Sequence, residues 1–169
     1  YLLGRGGQIS IKPNYCEVHV PLGARSQVTL SDGTQVWLNA NSKLRYPEKF
    51  NNSREVTLEG EAYFNVAKMK DKVFVVNTSD VRIKAYGTQF NVKSYTDEDL
   101  IQTTLVEGSV SVEPIKGNVK ENIVFLKPNQ SLNFYKEGNE RNGARRTTGG
   151  SGKRPTARPA EQIVLMTRI

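Results

Sequence analysis

The feature that most constrains this chain is a repeated unit: a stretch of alternating apolar and polar residues, a glycine, and a second alternating stretch. Between Val28 and Leu38, the apolar positions Val28, Leu30, Val36 and Leu38 flank Asp32-Gly33, with Thr29, Ser31 and Gln35 interleaved. Period-two alternation buries one face of a strand, and Asp-Gly supplies the positive φ angles that a tight turn needs. The pattern returns around Gly60 (Val56, Leu58, Phe64, Val66), Gly87 (Ile83, Ala85, Phe90, Val92) and Gly108 (Thr104, Val106, Val110, Val112). Gly33, Gly60 and Gly87 follow one another at intervals of 27 residues, and Gly108 comes 21 residues after Gly87. Self-similarity at such a period marks supersecondary units that pack side by side. The expected fold is all-β: repeated strand-glycine corner-strand units forming a sandwich or jelly-roll, or a short β-helical stack. Asp32, Gly33, Gly60, Gly87 and Gly108 are its structural corners, expected near one another in space, with Phe64 and Phe90 in the core.

With 169 residues, one domain with its own core is expected. The formal charge of +7 is unevenly spread: residues 1–135 hold 16 Lys and Arg against 14 Asp and Glu, and residues 136–169 hold 8 against 3. A nearly neutral folded part argues against nucleic acid as a partner. That includes a stacking platform made of Arg82, Lys84 and Lys93 with Tyr86 and Tyr95. Cys16 has no second cysteine, and His19 is the single histidine. Cys16 therefore reads as a small buried hydrophobe, and a histidine-based metal cluster is excluded. Glu55, Glu59 and Glu61 read as a solvated strand face. No nucleotide loop or paired-carboxylate spacing appears, so no catalytic, cofactor-binding or metal residue is assigned, and the chain does not read as an enzyme. No signal peptide or apolar run of membrane-spanning length is present, which suits either a cytoplasmic protein or an excised piece of an exported one.

Along the chain, residues 1–15 read as a linker, 16–135 as the β domain, and 136–169 as a disordered or atypical basic tail rich in Gly, Pro and Arg. The terminal AEQIVLMTRI suggests one short helix, or a docking of Ile163 to Met166 onto an apolar patch near Trp37. Met69 to Lys72 reads as a hairpin connection, the Gly87 unit as a strand pair, and Pro128-Asn129 as a turn between the last two strands. Trp37, the only tryptophan, alternates out of phase with Val36 and Leu38 and so faces away from the apolar stripe. With Tyr46 and Tyr63 it is a candidate partner contact.

These units also carry a resemblance. VPLGARSQVTLSDGTQVWLNANSKLRYPEKF, REVTLEGEAYFNVAK, FVVNTSDVRIKAYGTQFNVKSY, TTLVEGSVSV and LKPNQSLNF, in that order, resemble the successive signature blocks of the FecR family in its Bacteroides-type form, covering roughly residues 18–135. The resemblance implies the periplasmic domain of an inner-membrane anti-sigma factor. Such a protein has a cytoplasmic segment that holds an extracytoplasmic-function sigma factor, one transmembrane helix, and a periplasmic part that senses the signalling domain of a TonB-dependent outer-membrane transporter. It also implies a second small α/β domain after the last block, in whose place this chain has its arginine-rich tail. A reading from a different class is a carbohydrate-binding β-sandwich of the cell envelope, using exposed aromatics such as Trp37, Tyr46 and Tyr63.

Overall fold

The computed structural model describes residues 14–116 and 122–136, together with the backbone of residues 163–167. Thirteen strands and no helix are present among them. They form two sheets joined through one shared strand. Sheet I has the order β1 (Tyr15–Val20), β4 (Ser42–Pro47), β5 (Arg54–Asn65), β6 (Phe74–Asn77), β7 (Val81–Ala85), β10 (Val110–Pro114) and β11 (Val124–Leu126). Sheet II has the order β2 (Ser26–Thr29), β3 (Gln35–Leu38), the second half of β5, β8 (Gln89–Ser94), β9 (Leu100–Glu107), β12 (Gln130–Tyr135) and β13 (Ile163–Thr167). All pairs are antiparallel except β5 with β6. The inward side chains of both sheets form one cluster, in which Phe64 and Phe90 stack at 5.1 Å and both are fully buried.

The chain does not complete one sheet before starting the other. Among the described residues it crosses between them seven times, and each of these crossings carries one residue with positive φ. Gly23 lies between β1 and β2, Asn41 between β3 and β4, Gly60 inside β5, and Asp71 between β5 and β6. Gly87, Gly108 and Asn129 then serve the β7–β8, β9–β10 and β11–β12 crossings. A left-handed residue breaks the pleat and swings the strand direction sharply, which is what a sandwich corner demands.

This corrects the expected local pairings. Only Gly33 closes a hairpin, between β2 and β3. The strands flanking Gly87 do not pair with each other, because β7 lies between β6 and β10 in sheet I while β8 lies between β5 and β9 in sheet II. Met69 to Lys72 is likewise a crossover leading to a parallel strand, and the turn at Pro128-Asn129 joins two different sheets. The glycine period therefore records a repeated change of sheet. Gly33, Gly87 and Gly108 do lie together. A Cβ built on Gly33 would be 4.0 Å from the Cβ of Ala67, one on Gly87 3.5 Å from the Cα of Lys68, and one on Gly108 3.1 Å from the carbonyl oxygen of Gly87. Gly60 lies apart, because it pairs with Ser94 at the far end of β8.

The bend at Gly60 is the joint of the molecule. With φ at 100°, the residue lies so close to β4 that an added Cβ would be 2.7 Å from the Cα of Ser42. The Ser42 hydroxyl accepts the backbone N–H of Glu61 at 2.8 Å, replacing a strand partner where the ladder changes sheets. Folding β5 in two brings its start close to its end, and Arg54 fastens the two. Its guanidinium donates to the carbonyls of Ala67 (2.8 Å) and Lys72 (2.9 Å) and, through Nε, to Asp32 Oδ2 at 2.8 Å. Asp32 also accepts the backbone N–H and the hydroxyl of Thr34, each at 2.9 Å. The Arg54 and Asp32 side chains are only 2% and 3% exposed, so this pair locks the Gly33 hairpin to both ends of β5.

At the chain ends, β1 begins at Tyr15, inside the expected linker, and the rest of that linker up to residue 13 lies outside the described residues, as does 137–162 of the tail. Ile163–Thr167 is a strand and not a helix: it pairs with β12 from Gln130↔Thr167 to Phe134↔Ile163. Five residues are too few for a stable helix, whereas the open edge of β12 supplies ladder partners at once. This edge of sheet II is opposite the one near Trp37, so the strand does not cover that ring.

Candidate functional site

Alternation turns every second side chain outward, so the two sheets present two outer faces. On sheet I the outward positions are charged and paired across strands. Lys84 Nζ is 2.8 Å from Glu113 Oε1, and Glu17 Oε1 receives His19 Nε2 at 2.7 Å and Lys43 Nζ at 3.2 Å. The hydrogen bond from His19 first, then that from Lys43, holds the Glu17 carboxyl below its usual 4.5. Arg45 covers the Tyr15 ring at 4.4 Å.

On sheet II one register row runs Gln27, Trp37, Tyr63, Asn91, Thr104, Ser131. The sequence candidates Trp37 and Tyr63 meet here, directly opposite each other with ring centroids 5.7 Å apart and tilted by 55°. Trp37 is 37% exposed. The Tyr63 hydroxyl donates to Gln89 Oε1 at 2.8 Å, and burial, followed by the charge of Glu107, pushes its phenol above 10.0. Tyr46 does not join them. It lies on β4 in sheet I opposite Cys16 and packs half-buried against the core. Burial first, then Cys16, raises its phenol too.

Around Trp37 and Tyr63 is a cavity of about 420 Å³ spanning β2, β3, β5 and β8. Its polar lining is organised by Glu61, whose Oε2 accepts Asn39 Nδ2 at 2.9 Å and whose Oε1 accepts Asn91 Nδ2 at 3.0 Å. Arg25 Nε in turn donates to Asn39 Oδ1 at 3.2 Å. Glu61 is thus a bonded pocket carboxylate and not part of a solvated strand face. Glu55 and Glu59 lie before the Gly60 bend, on the sheet I part of β5. Asn39, Glu61 and Asn91 escape sequence reasoning because register across three strands, β3, β5 and β8, brings them together. The available signal was the shared parity of Glu61 with Tyr63.

Among the described residues no group of three or more His, Cys, Asp or Glu side chains is arranged to hold a metal ion. No helix among them is long and apolar enough to cross a membrane.

A sequence profile described as FecR protein matches residues 17–111, from β1 into β10. Two crystal structures, each of an anti-sigma factor candidate from Parabacteroides distasonis ATCC 8503, are similar to this chain. The first, at 2.50 Å resolution, has a TM-score of 0.67 and 36% identity, covering 72% of this chain and 55% of its own. The second, at 1.65 Å, has a TM-score of 0.66 and 37% identity, covering 71% of this chain and 55% of its own. This chain therefore spans little more than half the length of those proteins. No curated protein matches it. The profile covers more than half of the 169 residues, and the structural likeness extends over 72% of the chain at 36% identity, so the chain belongs to the FecR family.

Proposed function

We propose that this domain is the periplasmic signalling part of a transmembrane anti-sigma factor, with a regulatory and not a catalytic role. In this reading it receives the signalling domain of a TonB-dependent outer-membrane transporter. Through a membrane helix and a cytoplasmic segment belonging to the whole protein, it governs an extracytoplasmic-function sigma factor. The observation that carries this reading is the FecR match over residues 17–111, joined to the likeness to two anti-sigma factor candidates at 36% and 37% identity. The geometry agrees with a recognition role. The corner residues Asp32, Gly33, Gly60, Gly87 and Gly108 sit in the scaffold, while Trp37 and Tyr63 form a half-exposed aromatic pair rimmed by amides bonded to Glu61 and Arg25, the composition of a contact centre.

The test is to immobilise the signalling domains of TonB-dependent transporters from the same organism and measure binding of this chain by interferometry. Saturable binding that Trp37→Ala weakens about tenfold or more, with Lys84→Ala on the other face silent, is the expected result. Absence of binding, together with unchanged sigma-dependent transcription when the domain is deleted from the whole protein, would overturn the reading.

A further inference from the structure

The cavity around Trp37 has a chemistry that family membership does not assign. We propose that it is a binding site for a neutral saccharide, with a pyranose ring seated on Trp37 and its hydroxyls held by Glu61, Asn39, Asn91 and Arg25. Ligand pockets of this size combine an aromatic or apolar wall with a few placed polar groups that set orientation. Trp37 and Tyr63 are that wall, and among the described residues no cation lies over the Trp37 ring.

The polar groups are fixed before any ligand arrives. Asn39 and Asn91 each use one N–H on Glu61, leaving the second N–H of each amide. Each oxygen of Glu61 accepts one of these bonds, and a carboxylate has roughly four acceptor sites, so two remain. Arg25 uses Nε, leaving its terminal nitrogens as a donor fork. Donors and acceptors thus stand together at the edge of an aromatic plate, and a hydroxyl, which is both donor and acceptor, can pair with either.

Charge narrows the class further. The lining holds one cation, Arg25, and one anion, Glu61. A phosphorylated or carboxylated ligand meets the Glu61 carboxylate, a cationic one meets Arg25, and an apolar one leaves these bonded groups without water. A neutral polyol with one apolar ring face avoids all three costs. Most of the lining lies on paired strands, so the geometry is held without a closing loop.

Trp37 is the only tryptophan in the chain, so its emission reports on this cavity alone. The 169-residue protein is titrated with maltohexaose, cellohexaose and mannohexaose while tryptophan fluorescence is followed, with calorimetry in parallel. At least one probe should give a saturable emission change with matching heat at concentrations up to about 10 mM. Trp37→Ala should abolish the heat, and Glu61→Gln should weaken binding about tenfold. Arg82→Ala, on the outer face of sheet I, should change nothing. If Trp37→Ala fails to fold, Trp37→Phe and the exposed Arg25→Ala carry the test with losses of several-fold. The proposal is overturned if no probe gives a saturable response, if heat appears without an emission change, or if arginine amide or inorganic phosphate binds where the saccharides do not. Both readings use Trp37, so each is measured with the other ligand absent, and failure of every saccharide leaves the signalling-domain binding assay standing.

Discussion

The outer faces of sheets I and II arise from the same alternation and the same strand, β5, yet they solve the problem of facing water differently. Sheet I carries cross-strand ion pairs such as Lys84–Glu113 and Lys43–Glu17. Sheet II carries amides and hydroxyls bonded to each other, as in Gln102 to Asn133 at 3.0 Å and Thr104 with Ser131 at 2.8 Å, around the Trp37–Tyr63 pair. Its ion pair, Lys93–Glu98, is displaced towards the Tyr95 end. Ion pairs on an outer face are costly to dehydrate and contribute little to stability, whereas a face whose centre is two aromatic rings among bonded amides and hydroxyls loses its water at a lower cost. The difference marks sheet II as the face suited to contact and sheet I as the face suited to solvent.

The sharpest way to break this comparison is to break the joint that makes two faces from one strand. Arg54→Ala leaves the Asp32 carboxylate buried without its partner and should cost about 3–5 kcal/mol in urea titrations. A loss below about 1 kcal/mol would mean that the pair does not hold the bend. Gly60→Ala must force both a positive φ and contact with the backbone of Ser42, and should cost at least about 3 kcal/mol by the same measurement.

Between the sheets, Phe90→Ala removes a fully buried ring stacked on Phe64 and should cost about 3–5 kcal/mol, a loss that leaves both outer faces intact. On the inner side of sheet II, Thr103 is fully buried and its hydroxyl has no hydrogen-bond partner among the described residues. Thr103→Val should therefore raise stability by about 1 kcal/mol, and a loss of that size would reveal an unseen partner. On the outside of sheet I, Lys84→Ala leaves the Glu113 side chain, 12% exposed, without its ion partner and should cost about 1 kcal/mol or less, with an effect that shrinks in high salt.

The smallest expected effect comes from the tyrosines. Burial raises the Tyr46 and Tyr63 phenols above 10.0, so the unfolded chain releases these protons first as pH rises. Stability should be unaffected by them below pH 10.0 and decline as pH climbs from there through their folded values. Absorbance titration at alkaline pH should show two phenols ionising late. Tyr63→Phe should remove one of them.

Which residues face inward was legible because period two is a local property: Val36, Leu38, Phe64, Phe90 and Val92 all occupy the core. The parity that buries Val56 and Leu58 also buries Arg54, so an inward charge could have been read from REVTL. Its partner Asp32 could not, lying 22 residues away in what looks like a simple turn. The sheet each strand joins was illegible for a related reason. A glycine corner and a glycine hairpin have the same composition, and only the direction of the outgoing strand separates Gly33 from Gly87. The candidate site divides the same way: Trp37 and Tyr63 were readable as outward, but Asn39, Glu61 and Asn91 become neighbours only after β3, β5 and β8 find their register.

The sevenfold crossing has a consequence for how this domain folds and opens. Because each sheet is assembled from segments that alternate along the chain, no stretch of sequence corresponds to half of the molecule. Half of the strand pairings, such as β1 with β4, β7 with β10 and β9 with β12, close a loop across a corner, so the topology is rich in non-local contacts and folding is expected in the slow, millisecond-to-second range of all-β domains. The crossings of each sheet pin its partner, so a partly folded state that keeps one sheet and releases the other is not expected. Amide exchange in the core strands of both sheets should then proceed only through global unfolding and report a single free energy. In the role proposed above, a body of this kind would act by changing what it docks against, while its own interior stays fixed.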